Sequence, residues 1–277
     1  MDICEKFTRP LIKSSCMRDI LSGMQKIAFY LILFISCFTG KSYAELTQGP
    51  PPEGFSGDVG LAVFSQNSIT QGGSSATQAL PYVYFDYGRY FARIDTFGIK
   101  TVPLGYGYLE FSGKYNPEGF TPKGTSYSLL NQRDLPIPLG IGTFQVTPIG
   151  AFFLNAYGDV AASKGKMAEF TYAAELELPL SVKIYPLVGF DYKDKQYLNY
   201  FYGVTSLEAQ RSGINSYTPS DGTSPYAALI VEVPMSEHWI LNTFLKRKWL
   251  ASTIVNSPLV TERFANNFFI SLNYRFE

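Results

Sequence analysis

The sequence has little of what a soluble enzyme usually relies on. It contains one histidine and three cysteines, and its 23 basic residues cancel its 23 acidic ones. Its charged fraction is 17%, where about 25% is usual. The balanced charge gives nucleic acid no electrostatic reason to bind, and 46% apolar with 16% aromatic residues argues against a disordered chain. The scarce charge and abundant aromatics must therefore be explained by the fold.

The first 44 residues read as an export signal preceded by an extension. A basic start follows Met24, an apolar run covers residues 27–38, and Ser42 and Ala44 supply the small residues before a signal-peptidase cut. The run is about half the roughly 20 residues that a membrane-spanning helix needs. We therefore expect translation from Met24, cleavage after Ala44 and export of the chain. The expected domains are residues 1–44 (extension and signal peptide), 45–55 (a short periplasmic segment) and 56–277 (the barrel described below).

Residues for catalysis and metal binding are nearly missing from the expected mature chain. Cys4, Cys16 and Cys37 all fall within the predicted leader, so disulfides, thiolate metal sites and a cysteine nucleophile are excluded once it is removed. The only histidine, His238, is the single base available to a Ser-His-Asp arrangement, and no G-x-S-x-G motif presents a serine. The sequence predicts no catalytic residue, no cofactor and no metal site.

What the chain has instead is a repeated alternation of apolar and polar residues with period two. In residues 166–178, for example, Phe170 and Tyr172 fall on one face, and Glu169 and Thr171 fall on the other. A soluble barrel would turn the apolar face inward, whereas an outer-membrane barrel turns it toward lipid. Several segments have the length of a tilted strand that crosses a membrane. The sequence therefore predicts an all-β fold, an antiparallel transmembrane β-barrel.

Twelve strands are expected, with ten as the alternative, because one predicted segment is short. The connections after odd-numbered strands are mostly long and those after even-numbered strands are tight, with Gly98 as the exception. This alternation is typical of barrels with long extracellular loops and short periplasmic turns. The predicted strands cover residues 56–66, 79–87, 89–97, 99–103, 106–114, 135–142, 146–158, 166–178, 180–193, 225–233, 238–249 and 265–276.

Aromatic and basic residues near the segment ends suit the two membrane interfaces. The run Lys246-Arg247-Lys248 fits a cluster facing lipopolysaccharide as well as it fits a solvated strand end. The candidates for the aromatic girdles are Tyr82, Tyr84, Tyr87, Tyr90, Trp239 and Trp249.

The end of the chain resembles the signal that the barrel assembly machinery recognises. Leu272, Tyr274 and Phe276 alternate on one face and form the predicted insertion signal. Glu277 follows Phe276, whereas such barrels usually end on the aromatic residue itself. Assembly is still expected, but from a penultimate aromatic.

One loop carries a recognisable signature. It consists of Tyr200, Phe201, Tyr202, Gly203, Val204 and Thr205, followed by Glu208 and Ala209. This segment resembles the signature of the MipA/OmpV family of outer-membrane proteins. Further matches over residues 56–276 are Asp159-Val160, Gly165, Ser212-Gly213-Ile214, Tyr217, Ser257-Pro258-Leu259-Val260 and the final Leu272-Asn273-Tyr274-Arg275-Phe276.

The resemblance implies a non-enzymatic β-barrel in the cell outer membrane, surrounded by lipid and lipopolysaccharide. The name-giving member of that family is a scaffold linking a murein lytic transglycosylase to a bifunctional murein synthase, so these two enzymes are the implied partners. We also expect the signature to order its loop over the barrel mouth, because Tyr200, Phe201 and Tyr202 would otherwise be exposed apolar surface.

Three functions remain open from the sequence. The resemblance favours a scaffold in murein synthesis and turnover. A small-solute channel, surface receptor or adhesin is the alternative, and a channel would need the polar strand faces to line open water. A lipid-modifying barrel enzyme that uses His238 is the least favoured. The polar face in question includes Arg89, Arg93, Glu169, Glu175 and Glu177.

Overall fold

The chain folds into a closed antiparallel β-barrel in the computed structural model, which describes residues 51–71, 76–123 and 126–276. The described residues form twelve strands. Each strand pairs with its neighbours along the chain, and the last strand pairs with the first. The strands are β1 (Phe55–Gln66), β2 (Ala76–Tyr87), β3 (Tyr90–Arg93), β4 (Thr96–Leu104), β5 (Gly107–Lys114), β6 (Pro138–Thr147), β7 (Gly150–Asp159), β8 (Lys166–Ala173, resumed at Leu176–Glu177), β9 (Lys183–Lys193), β10 (Gly222–Pro234), β11 (Trp239–Trp249) and β12 (Phe264–Phe276).

The barrel turns its apolar side chains outward. Along β12, Ile270 and Leu272 are 39% and 48% exposed, whereas Ser271 and Asn273 between them are almost fully buried. A soluble barrel would show the opposite arrangement, because water would favour the polar residues outside. The predicted all-β transmembrane barrel with twelve strands is therefore confirmed.

The aromatic residues divide between the outer surface and the interior. Tyr87, Tyr90 and Trp239 are exposed at one end of the barrel and Trp249 at the other, as interfacial girdles require. The prediction was wrong for Tyr82, which is 7% exposed and packs inside the barrel against Phe269. Tyr84 likewise lines the interior rather than a girdle. Side chains alternate along β2, and both residues fall on the face that points into the barrel.

Long loops gather at one end of the barrel and short turns at the other, which confirms the predicted alternation. The described residues of the connections at the long-loop end are 67–71, 115–123, 126–137, 160–165, 194–221 and 250–263, with the tight 94–95 turn as the exception. Those at the short-turn end are residues 88–89, 105–106, 148–149, 178–182 and 235–238.

Two turns lie elsewhere than predicted. The β3–β4 turn falls at Ile94 and Asp95, not at Gly98, and Ile94 adopts a φ of 57° that is unusual for a β-branched residue. Gly98 lies within β4, where an added Cβ would come 2.1 Å from the carbonyl oxygen of Phe111. The glycine therefore permits close strand approach instead of a turn. The β6–β7 turn occupies residues 148–149, whereas residues 143–145 continue β6.

Three short α-helices lie in the long loops: α1 (Lys195–Tyr202), α2 (Ser206–Ser212) and α3 (Ser252–Val255), and a 3-10 helix covers Tyr127–Leu129. The carboxylate of Asp194 accepts a hydrogen bond from the backbone N–H of Tyr197 and caps α1. In the part of the chain that the structure describes, no helix has the length and apolar character to span a membrane. The predicted leader, its cleavage at Ala44 and residues 45–50 lie outside the described residues, as does Glu277.

Candidate functional site

Two long loops fold over the mouth of the barrel, and we call residues 194–221 and 250–263 the loop plug. Helix α1 presents Tyr197, Leu198, Phe201 and Tyr202, which are 0–2% exposed. They pack against Tyr157 and Met167 of the barrel wall and against Ile254 of α3. The long-loop end therefore contains a compact core of its own.

A carboxylate that is only 14% exposed ties the loop plug to the wall. Glu118, in the β5–β6 loop, accepts hydrogen bonds from the Lys193 ammonium at 2.6 Å and from the hydroxyls of Tyr197 and Tyr202, both at 2.6 Å. Burial would raise the pKa of Glu118, but Lys193, Lys248 and the hydrogen bonds outweigh it and lower the pKa to about 2. The carboxylate is therefore ionised at neutral pH.

A second buried ion pair organises the signature segment. Glu208, 1% exposed, contacts the guanidinium of Arg133 at 2.9 Å and accepts hydrogen bonds from the backbone of Asn131 and from Thr205. Burial would raise the pKa of Glu208, but the backbone N–H groups of Thr205 and Asn131, the Thr205 hydroxyl and Arg133 lower it to about 2. Arg133 also donates to the carbonyl oxygen of Gly203 at 3.1 Å.

The signature residues thus have identifiable structural partners. Thr205 and Glu208 form a reciprocal capping box at the start of α2. Val204 is 2% exposed, pairs its backbone with Tyr217 and packs with Leu259. The hydroxyl of Tyr200 accepts a hydrogen bond from a backbone N–H of the β5–β6 loop, Phe201 and Tyr202 belong to the α1 core, and Ala209 packs near Val204.

The other segments that carried the resemblance converge on the same place. The Ser257 hydroxyl donates to the carbonyl oxygen of Tyr202 at 2.6 Å. Asp159 holds the β7–β8 loop through the hydroxyl and N–H of Ser163. A Cβ added to Gly165 would meet the backbone nitrogen of Tyr197 at 2.3 Å, so the glycine lets α1 approach the wall. Their roles in ordering the loop stay a prediction that proteolysis can test.

Beneath the loop plug lies a cavity of about 1100 Å³ inside the barrel. One side of it is charged: Lys114 pairs with Glu169 at 2.6 Å, and Lys248 pairs with Asp191 at 2.5 Å. The aromatic part of the lining consists of Phe64, Tyr82, Phe244 and Phe269, on β1, β2, β11 and β12, and it meets the charged part along β11. The cavity lining therefore has a charged part and an aromatic part.

The basic run of β11 does not form one outward-facing cluster. Lys246 and Lys248 line the cavity, and only Arg247 faces outward, where its guanidinium donates to the side chain of Asn266 at 2.8 Å. The lipopolysaccharide interpretation is therefore wrong for the two lysines. The alternation of the strand, which sends successive side chains to opposite faces, explains the difference.

The polar face proposed for a channel is only partly in the lumen. Arg93 and Glu169 line the cavity, and Arg93 is paired with Glu110 at 2.9 Å. Arg89 lies in the exposed β2–β3 turn. Glu175 pairs with Lys183 at the short-turn end, near the exposed Glu177.

The remaining sequence candidates lie at the short-turn end. His238 stacks on Tyr274 with ring centroids 5.2 Å apart, and its carbonyl oxygen accepts a hydrogen bond from the N–H of Arg275. Leu272 and Phe276 are exposed on the outer face, and Tyr274 contacts Phe276. This placement suits an insertion signal, whose function stays a prediction. Within residues 51–71, 76–123 and 126–276, no group of three or more His, Cys, Asp or Glu side chains could hold a metal ion.

Two charged residues of the site, Glu118 and Arg133, cannot be recognised from the sequence, and we call them the charged anchors. Their partners Lys193 and Glu208 are each 75 residues away along the chain. No local pattern marks such a distant pair. The sequence offers one indication: a charged residue in an aromatic loop needs a partner of opposite charge once the loop is buried.

Comparisons with known proteins agree with the barrel and its loops. The family model described as MltA-interacting protein MipA matches residues 59–276. The "Putative outer membrane protein YiaT" of Escherichia coli (strain K12) is 24% identical over 222 residues, covering 79% of this chain and 90% of that protein. The MltA-interacting protein of the same organism is 26% identical over 91 residues, which cover 33% of this chain and 37% of that protein.

A search of solved structures found the outer membrane protein OprG from Pseudomonas aeruginosa, with 10% identity, a TM-score of 0.23 and coverage of 83% of this chain and 99% of that chain. At that TM-score the likeness adds nothing to the strand pairing described above. The family assignment rests on the sequence match, which spans the barrel from β1 to β12. The chain belongs to the MipA family of outer-membrane β-barrel proteins.

Proposed function

We propose that this protein is a non-enzymatic scaffold in the outer membrane that docks a murein lytic transglycosylase, and through it a murein synthase, from the periplasm. Its family and the name of its MltA-interacting relative support a partner of this kind. The observation that carries the proposal is the character of the short turns, which expose large apolar side chains at their tips.

Four short turns contribute to this surface, which we call the turn tips: Tyr106, Ile149, Leu180 and Met235. Their exposed fractions are 49%, 72%, 89% and 62%. Leu180 adopts a φ of 65°, a left-handed conformation that is costly for a residue with a side chain. Turns that need only to connect strands are usually polar, so exposed apolar tips on several of them favour a protein-binding surface.

The long-loop end offers less support for a protein-binding role. The α1 side chains Tyr197, Phe201 and Tyr202 are buried in the core of the loop plug, and the carboxylates of Glu118 and Glu208 are already paired. Because the loop plug packs over the barrel mouth, its contacts favour stability of the barrel over the passage of solutes. The proposed binding capacity for proteins therefore lies at the periplasmic turns.

The proposal is tested by crosslinking intact envelopes and recovering the full-length protein with its neighbours. We expect a murein lytic transglycosylase to be recovered with the unaltered protein and to be several-fold depleted with Leu180→Ser. Leu207→Ser is the matched control, because Leu207 is 62% exposed on α2 at the opposite end. Equal recovery of the transglycosylase with both variants, or its repeated absence with all three proteins, would contradict the scaffold.

A small-solute channel is the second candidate, because a cavity of about 1100 Å³ occupies the barrel interior. Planar-bilayer recordings separate the two functions. The scaffold predicts no steady conductance, since the loop plug covers the mouth. A stable single-channel current from the unaltered protein would favour the channel.

A further inference from the structure

The barrel wall is incomplete between β2 and the β3–β4 hairpin. All twelve residues of β2 pair with β1, but only Tyr84–Tyr87 pair with β3. Beyond Val83, no other described strand pairs with the second edge of residues 76–82. The carbonyl oxygen of Val83 accepts the N–H of Ile94 at 2.8 Å, and there the ladder ends. We call this unpaired stretch the side gap; it is about 23 Å long at roughly 3.3 Å per residue.

The sequence of β2 suits an edge that stays unpaired. The Val83 carbonyl points toward β3, where it accepts the N–H of Ile94. Since backbone groups of every second residue in a strand point to the same side, those of Pro81 and Ala79 point into the side gap. Proline has no N–H, so the edge lacks one of the donors that another strand would need. Proline on an open edge is a common defence against pairing with a further strand.

The cavity extends to this edge. Leu80, Pro81 and Tyr82 are consecutive residues of β2, and all three line it. Ile94 and Asp95, at the tip of the β3–β4 hairpin, line the cavity from the other side of the side gap. The cavity therefore reaches the side gap from both of its edges.

The wall that leads inward from the side gap is aromatic. Phe64 pairs with Phe269, and Phe269 pairs with Phe244, so the three form one row across β1, β12 and β11. The rings of Phe244 and Phe269 stack with centroids 5.0 Å apart, and Tyr82 lies 5.9 Å from Phe269. Such a wall can hold a flexible hydrocarbon chain by burying its surface.

A cation stands next to this aromatic row. Lys246 belongs to the neighbouring row, opposite Asn267, and its ammonium lies 3.8 Å from the ring centroid of Tyr226. Lys114, Lys193 and Lys248 each have a carboxylate partner in the cavity region, whereas no carboxylate of the described residues forms an ion pair with Lys246. An uncompensated cation inside a barrel attracts an anion.

We propose that the cavity binds a single-chain fatty acid that enters from the bilayer through the side gap. The hydrocarbon chain lies along the aromatic row, and the carboxylate pairs with Lys246. A cavity of about 1100 Å³ slightly exceeds the usual range for small-molecule sites, roughly 300–1,000 Å³, so it has room for a long hydrocarbon chain. The inference is independent of scaffolding, because the turn tips lie at the opposite end of the strands from the loop plug.

The test uses the full-length protein in phosphatidylcholine nanodiscs and a photoactivatable palmitate with its reactive group in the chain. Labelling is expected on β11 and β12, around Phe244 and Phe269, and should be competed by palmitate but not by hexadecanol. Lys246→Gln is expected to lower labelling about tenfold, the effect of losing one charge-assisted contact. Arg247→Gln, on the adjacent outward-facing residue, should label like the unaltered protein.

A second arm tests entry through the side gap. With Cys4, Cys16 and Cys37 replaced by serine, a bulky maleimide on Ala79→Cys should slow labelling, whereas the same group on Leu61→Cys, an outward residue of paired β1, should not. Heat-modifiable gel migration confirms that each variant is folded. Equal labelling of Lys246→Gln and Arg247→Gln, or equal competition by hexadecanol, would overturn the carboxylate site. Equal labelling rates for the two maleimide adducts would overturn the lateral route.

Discussion

The two ends of the barrel handle apolar and charged side chains in opposite ways. At the long-loop end, Phe201 is fully buried and Glu118 is held by a lysine and two tyrosines. At the short-turn end, Leu180 is 89% exposed, and Glu175 pairs with Lys183 across 3.2 Å with both side chains about one-third exposed. One end is thus built as a small core and the other as an open surface. The burial of the signature segment favours a role in stability, and the exposed turn tips offer apolar surface to the proposed partner.

Removing a charge should distinguish the two ends most strongly. Glu118→Gln leaves Lys193 buried without a counter-charge, and breaking such a pair costs about 3–5 kcal/mol. The expected result is rapid proteolysis within residues 194–221 of the folded barrel. Glu175→Gln breaks an exposed pair that is worth about 0–1 kcal/mol, and its cleavage should match that of the unaltered protein. Similar cleavage of both variants would remove the contrast between the ends.

Acid should open the loop plug selectively. The folded-state pKa values of Glu118 and Glu208 are about 2, below their ordinary value near 4.5. Their stabilisation is therefore fully present above about 4.5 and is lost as the pH falls toward 2. Pepsin cleavage of residues 194–221 should be slow at pH 5 and should accelerate between pH 4 and pH 2.

The pH profile has a direct control in the variants. The double variant Glu118→Gln, Glu208→Gln should be cleaved quickly at every pH in that range, with only the pH dependence of pepsin itself remaining. A loop plug in the unaltered protein that resists pepsin equally at pH 5 and pH 2 would contradict the role assigned to the two carboxylates.

Removing an apolar side chain should lower stability in the buried core of the loop plug but not at the exposed turn tips. Val204→Ser takes a buried side chain from its cluster and should destabilise the loop plug by about 2–3 kcal/mol. Leu180→Ser should leave stability within about 0.5 kcal/mol, because that side chain is exposed. Limited proteolysis with trypsin measures the effect of each variant. Adding Tyr202→Ser to Val204→Ser should destabilise the loop plug further. An unchanged cleavage pattern for Val204→Ser would refute the ordering role of the signature.

The smallest expected effect concerns one helix cap. Thr205→Ala removes the hydroxyl of the capping box at α2 and should cost about 1 kcal/mol. The neighbouring exposed Ser206→Ala keeps the box and should be neutral. Hydrogen exchange of the α2 amides measures the difference. A larger loss in Ser206→Ala than in Thr205→Ala would show that the box does not fix this helix.

Strand number and sidedness could be predicted from the sequence because they depend on local features. Alternation along β8 and β12 marks the two faces directly, and glycine and proline mark most turns. The β3–β4 turn could not be placed, since Ile94 takes a glycine-like conformation while Gly98 pairs in a strand.

The anchors and the cavity depend on features that no local pattern contains. Glu118 meets Lys193, and Arg133 meets Glu208, only after the barrel closes and its loops fold inward. The inward direction of Lys246 follows from strand parity, but the absence of an ion pair with any carboxylate of the described residues depends on what lies across the cavity. Local sequence therefore predicted the barrel and the signature loop, whereas the side gap required the register of β2 against β3.

Site-specific photocrosslinking from the two ends tests the central claim most directly. A photoreactive amino acid is placed at Leu180, or at Leu207 on the long-loop side, in cells that make the full-length protein, and the crosslinked partners are identified by mass spectrometry. The account predicts a murein lytic transglycosylase adduct from position 180 and none from position 207. The same adduct from position 207, or none from position 180 while the barrel is folded and exported, would contradict it.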